Sequence, residues 1–303
     1  MKRLLFVVHG RLKNSRRWKR IRQHMANQTQ WSVLVVYTEY SGHAIELVKS
    51  NLEKAMFDTV IACGGDGTLN ECVNGIMLAD SKVTLAILSM GTGNDFVKSL
   101  KIKGSWDELK EALETGYTLR SDVMRLKSVT SLRYGINVSD IGIGGEVVQR
   151  MARDSRWMGS FLTYQKNIVK SFLSFRSKKM ILRFDDGHEF SQNLFMLAAS
   201  NASWFGSGLC IDPEAQLNDG LLNVVMVQDI SLLDYIGQLP FLRGGKRMKH
   251  RAVSYRRSQS LALLSEGWPI DCDGEFIGFT PLSIDLIEGG VNILIPKTIT
   301  SVP

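Results

Sequence analysis

The sequence predicts an α/β domain on a parallel sheet, followed by a β-rich domain. Three observations carry this. Up to residue 122, apolar runs alternate with segments of helical spacing. Those runs are continuously apolar, the pattern of parallel strands covered on both faces. Beyond residue 122 the texture changes to short strand-like runs joined by Gly, Asp and Asn turns.

The elements follow in order. "LLFVV" (4–8) reads as the first strand, and "SRRWKRIRQHM" as a helix with Trp18, Ile21 and Met25 on one face. "WSVLVVYT" is a second strand and "HAIELVKSNLEKA" a second helix bearing Ile45, Leu47, Val48 and Leu52. "DTVIAC" is a third strand. Residues 69–79 form a third helix, with Leu69, Cys72, Val73, Ile76 and Met77 as its apolar face. "VTLAILSM" is a fourth strand; a short helix starts near Asp95, and "SWDELKEALETG" is a helix stopped by Gly116. In the second part, "RYGINVSDIGIG", "KKMILRFDDGHEF", "NLFMLAAS", "GLLNVVMVQD" and "SLALLSE" read as strands, several in antiparallel hairpins. Helical stretches at 157–175 and 231–243 interrupt them.

A chain of 303 residues is longer than a typical single domain, so two are expected. The net charge of +7 favours an anionic partner: a nucleotide, a nucleic acid or an acidic membrane surface. The four cysteines, Cys63, Cys72, Cys210 and Cys272, form no C-x-x-C pair, which argues against zinc and against a disulfide framework. Reduced, buried thiols in a cytoplasmic protein are the reading. No apolar run reaches the ~18 residues needed to cross a membrane. The apolar run of "MKRLLFVVHGR" is too short for a signal peptide. The five histidines show no metal spacing, and no G-x-S-x-G elbow is present.

Two glycine loops carry the chemistry. Gly64-Gly65-Asp66-Gly67-Thr68 lies between an apolar run and a helix, where free N–H groups can receive a phosphate. It is not a P-loop, and no Lys or Arg lies between Ala55 and Asp80. G-x-G-x-x-G is also absent. A plain glycine turn with Asp66 as helix cap is the competing account. The second loop repeats the design: "LAILSM" leads into Gly91-Thr92-Gly93-Asn94-Asp95 and a helix. Adjacent parallel strands place both loops on one rim of the sheet. Carboxylates beside a polyphosphate are reasonable when Mg²⁺ and its water shell sit between them.

"GGDGTLNECVNG" with "GTGNDF" resembles the diacylglycerol kinase catalytic family, in its bacterial soluble lipid-kinase branch, a fold that sphingosine and ceramide kinases share. NAD kinases and phosphofructokinases carry similar GGDG turns; the second motif separates them. The resemblance implies an NAD kinase/phosphofructokinase-like nucleotide domain over residues 1–124, joined by the tail 290–303, and a C-terminal β-sandwich over 125–289. The active site is then expected in the cleft between them. It implies ATP contacts at Gly64, Gly65, Asp66, Gly67, Thr68, Asn70 and Glu71, at Gly91, Thr92 and Asn94, and at Thr38 after the second strand. Asp66 and Asp95 serve catalysis through the metal. The loop "HGRLKNS" departs from the family's pattern, so Gly10, Arg11 and Asn14 stand as guesses.

"CDGEF" (272–276) read by itself is a hairpin turn. The family places its general base in this D-G-E, so Asp273 or Glu275 is the base, and the choice stays open. "AQLNDGLLNV" (215–224) looks like a hairpin bent at Asn218-Asp219-Gly220. The resemblance implies structural Mg²⁺ there, held by Asp219 and the backbone oxygens of Gln216 and Leu221. Asp122 matches a family aspartate tied to the metal network; a turn carboxylate is the alternative.

The expected activity is transfer of the γ-phosphate of ATP to a lipid hydroxyl, with diacylglycerol as the leading acceptor. A kinase of a soluble alcohol or of NAD is one alternative, and a non-catalytic nucleotide sensor at the membrane another. Residues 160–179 mix Phe, Leu and Tyr with Lys and Arg, and 242–258 is strongly basic. Both fit peripheral contact with a membrane surface, although a core helix with a solvated basic face accounts for the first as well. No motif supports nucleic-acid binding. A homo-oligomer is compatible with the sequence.

Overall fold

The computed structural model describes residues 1–153 and 160–298, and the side chains of all of these except 152–153 and 160–165. The chain forms β1 (Lys2–Val8), α1 (Arg16–Ala26), β2 (Trp31–Tyr37), α2 (His43–Lys54), β3 (Thr59–Gly64) and α3 (Asp66–Leu78). Then come β4 (Thr84–Ser89), α4 (Asp95–Ser99), α5 (Trp106–Thr115), β5 (Tyr117–Ser128), β6 (Leu132–Gly135), β7 (Val138–Gly142) and α6 (Ile143–Arg153). After α7 (Ser160–Ser174) follow β8 (Lys178–Phe184), β9 (Glu189–Leu194), β10 (Met196–Ser200), β11 (Trp204–Phe205), β12 (Leu209–Cys210) and β13 (Leu222–Val227). The chain ends with α8 (Leu232–Arg243), β14 (Val253–Ser258), β15 (Ser260–Leu263), β16 (Pro269–Cys272), β17 (Glu275–Phe279) and β18 (Leu282–Ile295). Two compact units result: Met1–Asp122 with the tail from Glu288, and Val123–Ile287.

In the first unit the strands lie in the order β2-β1-β3-β4-β18. β1 runs parallel to β2 and β3, β3 to β4, and the end of β18 joins β4 at Asn292↔Thr84 and Ile293↔Leu85. Leu4 to Val8 have no exposed surface, which is why β1 reads as an unbroken apolar run. Trp18, Ile21 and Met25 of α1 pack with Leu4, Phe6 and Val8 in one core cluster. Because β1 has β2 on one side and β3 on the other, the order reverses between β1 and β3. That switch point is where open α/β sheets bind ligands, beyond the carboxyl ends of the strands.

α3 begins at Asp66, three residues earlier than its periodicity predicts, because Leu69 N–H already bonds back to Gly65 O at 3.1 Å. It is also buried on more than its apolar stripe: Asn70, Glu71, Asn74 and Gly75 are buried as well. Gly75 lets α2 approach, since a Cβ there would lie 2.6 Å from Val48 Cβ.

The second unit holds an antiparallel sheet β14-β13-β10-β7-β16-β17. Facing it is a set in which β15 pairs antiparallel with β8 and with the first part of β18, and β8 with β9. Inward residues of both, including Ile141, Leu197 and Val224 on one side and Leu182, Leu261 and Ile284 on the other, share one core. Two sequence expectations are corrected. Residues 143–153 form a helix where only a strand ending was foreseen. The glycines at its start are close-packing residues, not breakers: a Cβ on Gly145 would lie 2.2 Å from Pro269 O. Residues 215–224 are not a hairpin; only 222–227 is a strand, and the preceding arm is irregular. Of the helix expected over 157–175, residues 157–159 lie outside the described residues, as do 299–303 of the tail. All four cysteines are free and buried.

Candidate nucleotide site and its carboxylates

The two glycine loops meet on one rim of the first unit. β3 and β4 are in register to their ends, Gly64↔Ser89, and Met90 N–H donates to Gly64 O at 2.7 Å. Past that bond the backbones touch: a Cβ on Gly91 would lie 2.4 Å from Gly65 Cα and 3.0 Å from Gly65 N. Only glycine fits there. Asp66 at the first position of α3 accepts Phe96 N–H of α4 at 3.2 Å, so the first loop's carboxylate anchors the second loop's helix. Burial, and next the charge of Asp95, raise the Asp66 carboxyl above its ordinary range, against backbone N–H groups of Phe96, Asp95 and Asp66 that favour the anion. Asp95 is itself buried and pairs with Lys98 Nζ at 2.7 Å. The D-x-x-K spacing on α4 was the sequence signal for this lysine, which the motif reading passed over.

The remaining residues of the motifs divide by what they touch. The first turn of α3, including Gly67 and Thr68, has N–H groups with no intrahelical acceptor, the usual seat for a phosphate. Thr68 is buried and folds over Gly64, whose added Cβ would lie 2.3 Å from Thr68 Oγ1. Thr92 is exposed at the tip of the second loop, and Asn94, in the left-handed region at φ 48°, closes it by donating Nδ2–H to Gly91 O at 2.9 Å. Thr38 Oγ1 accepts Gly10 N–H at 3.0 Å, tying the loop after β1 to the end of β2. Arg11 N–H is held by His9 Nδ1 at 3.2 Å.

Two residues expected at the nucleotide carry structural bonds as well. The Glu71 carboxylate accepts Gly42 N–H at 2.8 Å and Ala44 N–H at 3.0 Å, capping the start of α2, which has no side-chain cap of its own. Asn70 Oδ1 and its carbonyl both receive Asn74 Nδ2, at 3.1 and 2.9 Å. Asp122 Oδ1 accepts Gly289 N–H at 2.7 Å, binding β5 to the returning strand β18.

In the second unit, Asp273 and Gly274 form a tight turn between β16 and β17, both with positive φ (52° and 87°), as an Asp-Gly hairpin requires. Asp273 carries further bonds: Oδ2 accepts Ile136 N–H at 2.8 Å, and Oδ1 accepts Asn137 and Val138 N–H at 3.0 and 2.9 Å. Its carboxylate clamps the entry to β7. Glu275, the first residue of β17, is half-buried and paired with Arg133. At the 215–221 segment, Asp219 Oδ1 accepts Leu221 N–H at 3.1 Å in an Asx-type turn, and Gln216 is exposed. Nearby in sequence, Asp212 and Glu214 are engaged by Arg247. Among the described residues no group of three or more His, Cys, Asp or Glu side chains could hold a metal. Asp66 with Asp95 still suits Mg²⁺, which is held by one or two carboxylates together with phosphate oxygens and water. The set expected at Asp219 takes its other two oxygens from the backbone of Gln216 and Leu221, which a count of side-chain ligands does not reach.

Two family models match successive parts of the chain. Residues 3–126 match the diacylglycerol kinase catalytic domain, and residues 138–295 match the YegS C-terminal NAD kinase beta sandwich-like domain. A diacylglycerol kinase of Staphylococcus epidermidis is 27% identical over 266 residues, covering 86% of this chain and 81% of its own. One of Bacillus subtilis is 25% identical over 244 residues, covering 80% and 78%. A crystal structure of a diacylglycerol kinase from Bacillus anthracis matches with TM-score 0.70 at 17% identity, covering 99% of this chain and 98% of that one. A second crystal structure from that organism reaches 0.77 at 20% identity, covering 99% and 96%. At those identities the structural likeness is one of fold.

Proposed function

Since this chain belongs to the diacylglycerol kinase family, we propose that it is an ATP- and Mg²⁺-dependent lipid kinase, with diacylglycerol as the leading acceptor. The supporting observation is the backbone contact of Gly65 with Gly91, which sets Asp66 and Asp95 together beside the free N–H groups of α3. Phosphoryl transfer needs positioning and charge neutralisation more than covalent chemistry. The first turn of α3 and the exposed second loop cradle phosphate oxygens. Asp66 and Asp95 hold a divalent cation, and Lys98 steadies Asp95. Bound there, Mg²⁺ supplies charge neutralisation at the β- and γ-phosphates.

The acceptor hydroxyl attacks the γ-phosphorus in line. The new O–P bond forms as the bond to the β,γ-bridging oxygen breaks, ADP leaves, and the hydroxyl proton passes to a carboxylate. We assign that carboxylate to Glu275, because the oxygens of Asp273 already receive three backbone N–H groups. Arg133 orients Glu275. Asp219 holds the Leu221 N–H and Asp122 the Gly289 N–H, and the steps above use neither of them, nor the backbone oxygens of Gln216 and Leu221.

The test is transfer from labelled ATP with Mg²⁺ to diacylglycerol, monoacylglycerol, sphingosine, ceramide and phosphatidylglycerol in mixed micelles, with NAD and glycerol as soluble controls. A labelled lipid lost in Asp66→Asn and in Glu275→Gln supports the reading. Label only in a soluble control reassigns the enzyme to a small-molecule kinase. ATP binding with no transfer to any acceptor makes it a nucleotide sensor.

A further inference from the structure

α8 has the wrong surface for a helix that ends its packing at the protein. Its sequence, LLDYIGQLPFLR, carries only two charges, Asp234 and Arg243. A helix apolar all round is normally buried, yet Leu242 is the only fully buried residue here. Helical spacing sets Leu233, Ile236, Gly237 and Pro240 on one stripe opposite Leu242. That whole stripe is exposed, Leu233 by 79% and Ile236 by 50%.

The chain then folds back along the helix. Lys246 N–H donates to Phe241 O at 3.0 Å and Lys249 N–H to Gln238 Oε1 at 2.9 Å, while His250 Nε2 lies 3.7 Å from Asp234 Oδ1. These contacts place the return segment 246–251 on the Asp234–Gln238 flank of the exposed stripe. Its cations divide sharply. Arg247 is neutralised by Asp212 and Glu214, and on β14 Arg256 is neutralised by Asp186 and Arg257 by Glu214. Arg243, Lys246, Lys249 and Arg251 are exposed and take part in no ion pair among the described residues. The helix's one carboxylate, Asp234, is occupied by the Ser231 cap and by His250.

An apolar stripe bordered by four exposed cations, of which only Arg251 feels a nearby carboxylate among the described residues, that of Asp234, matches a surface that offers acyl chains and phosphates together. Apolar side chains enter the headgroup boundary while Lys and Arg stay at the anionic phosphates. We propose that α8 and its return segment are the surface by which this protein docks on anionic lipid bilayers. The proposal deepens the lipid-kinase reading by naming where the bilayer is met, and its test needs no turnover.

The experiment is flotation of the full chain with phosphatidylcholine vesicles, with and without phosphatidylglycerol. Binding is expected only with phosphatidylglycerol. Lys246→Ala, Lys249→Ala and Arg251→Ala combined should weaken it about a hundred-fold. Leu233→Ser with Ile236→Ser should weaken it about ten-fold or more and should leave the remaining binding more sensitive to salt. Lys19→Ala with Arg22→Ala, exposed cations of α1, should not change it. Circular dichroism checks folding, and phosphate transfer to a short-chain soluble acceptor should be equal in all forms. Unchanged vesicle binding in both α8 variants overturns the proposal. So does wild-type binding to duplex DNA but not to vesicles, or a wild-type dimer dissolved by Leu233→Ser, which assigns the stripe to a second copy. Vesicle binding that follows these variants, with no lipid phosphorylated, leaves the docking surface standing and removes the kinase reading alone.

Discussion

Asp140→Asn should flatten a pH dependence that the fold of the second unit builds in. Asp140 on β7 and Asp271 on β16 stand directly opposite each other in the antiparallel register, and both are buried. Asp140 Oδ1 has no hydrogen-bond partner among the described residues, and Gly144 sits so close that a Cβ would fall 1.8 Å from Oδ2. Burial, only partly offset by Gly144 N–H, pushes the Asp140 carboxyl up to about 7. Burial and then the charges of Asp140, Asp273 and Glu275 push Asp271 well above the carboxylate range, against Gly274 N–H. The folded unit therefore keeps protons that the unfolded chain releases near pH 3.9. That stabilisation is complete below about pH 3.9 and is lost as pH rises through about 7. At ~1.4 kcal/mol per pH unit for one group, Asp140 alone removes up to about 2.7 kcal/mol between pH ~5 and pH ~7. Asparagine keeps the shape and takes away the titration. Urea unfolding of the full chain, followed by circular dichroism across this range, should show the wild type losing stability faster than Asp140→Asn. The variant should be the more stable near pH ~8. Parallel pH profiles for the two proteins would refute the argument.

Two further substitutions separate nucleotide binding from structure. Gly91→Ala places a methyl 2.4 Å from Gly65 Cα, and backbone cannot step aside as a side chain can. ATP affinity, measured by titration calorimetry, should fall about ten-fold or more as the loops part. Glu71→Ala removes the acceptor for Gly42 and Ala44 N–H and should cost about 2 kcal/mol of stability in urea. Nucleotide affinity should stay within about two-fold, and Glu71→Gln should recover part of the stability. Lost ATP affinity at unchanged stability would return Glu71 to the nucleotide.

The sequence by itself determined the parts whose physics is local. Continuous apolar runs announced the inner parallel strands β1, β3 and β4, because burial on both faces leaves no alternation; the edge strand β2 is apolar too but only partly buried. Gly116 marked the end of α5, and the structure adds the reciprocal cap of Ser105 and Glu108 at its start. The glycine loops were legible because a strand ending in glycines before a helix has few physical uses. Within those motifs the sequence did not separate residues that face outward from those that hold the loop. Glu71 and Asn70 stand in the same run as Gly67, yet the helix carries Glu71 to the start of α2 and Asn70 to a buried bond with Asn74. Asp273 and Glu275 are two residues apart, and only the pairing of β16 with β7 showed that Asp273 reaches three N–H groups of 136–138. The same register sets Asp140 against Asp271, two carboxylates far apart in sequence. Such pairings, and the apolar stripe that α8 leaves uncovered, were decided by tertiary structure alone, because burial and strand register depend on what the rest of the chain brings alongside.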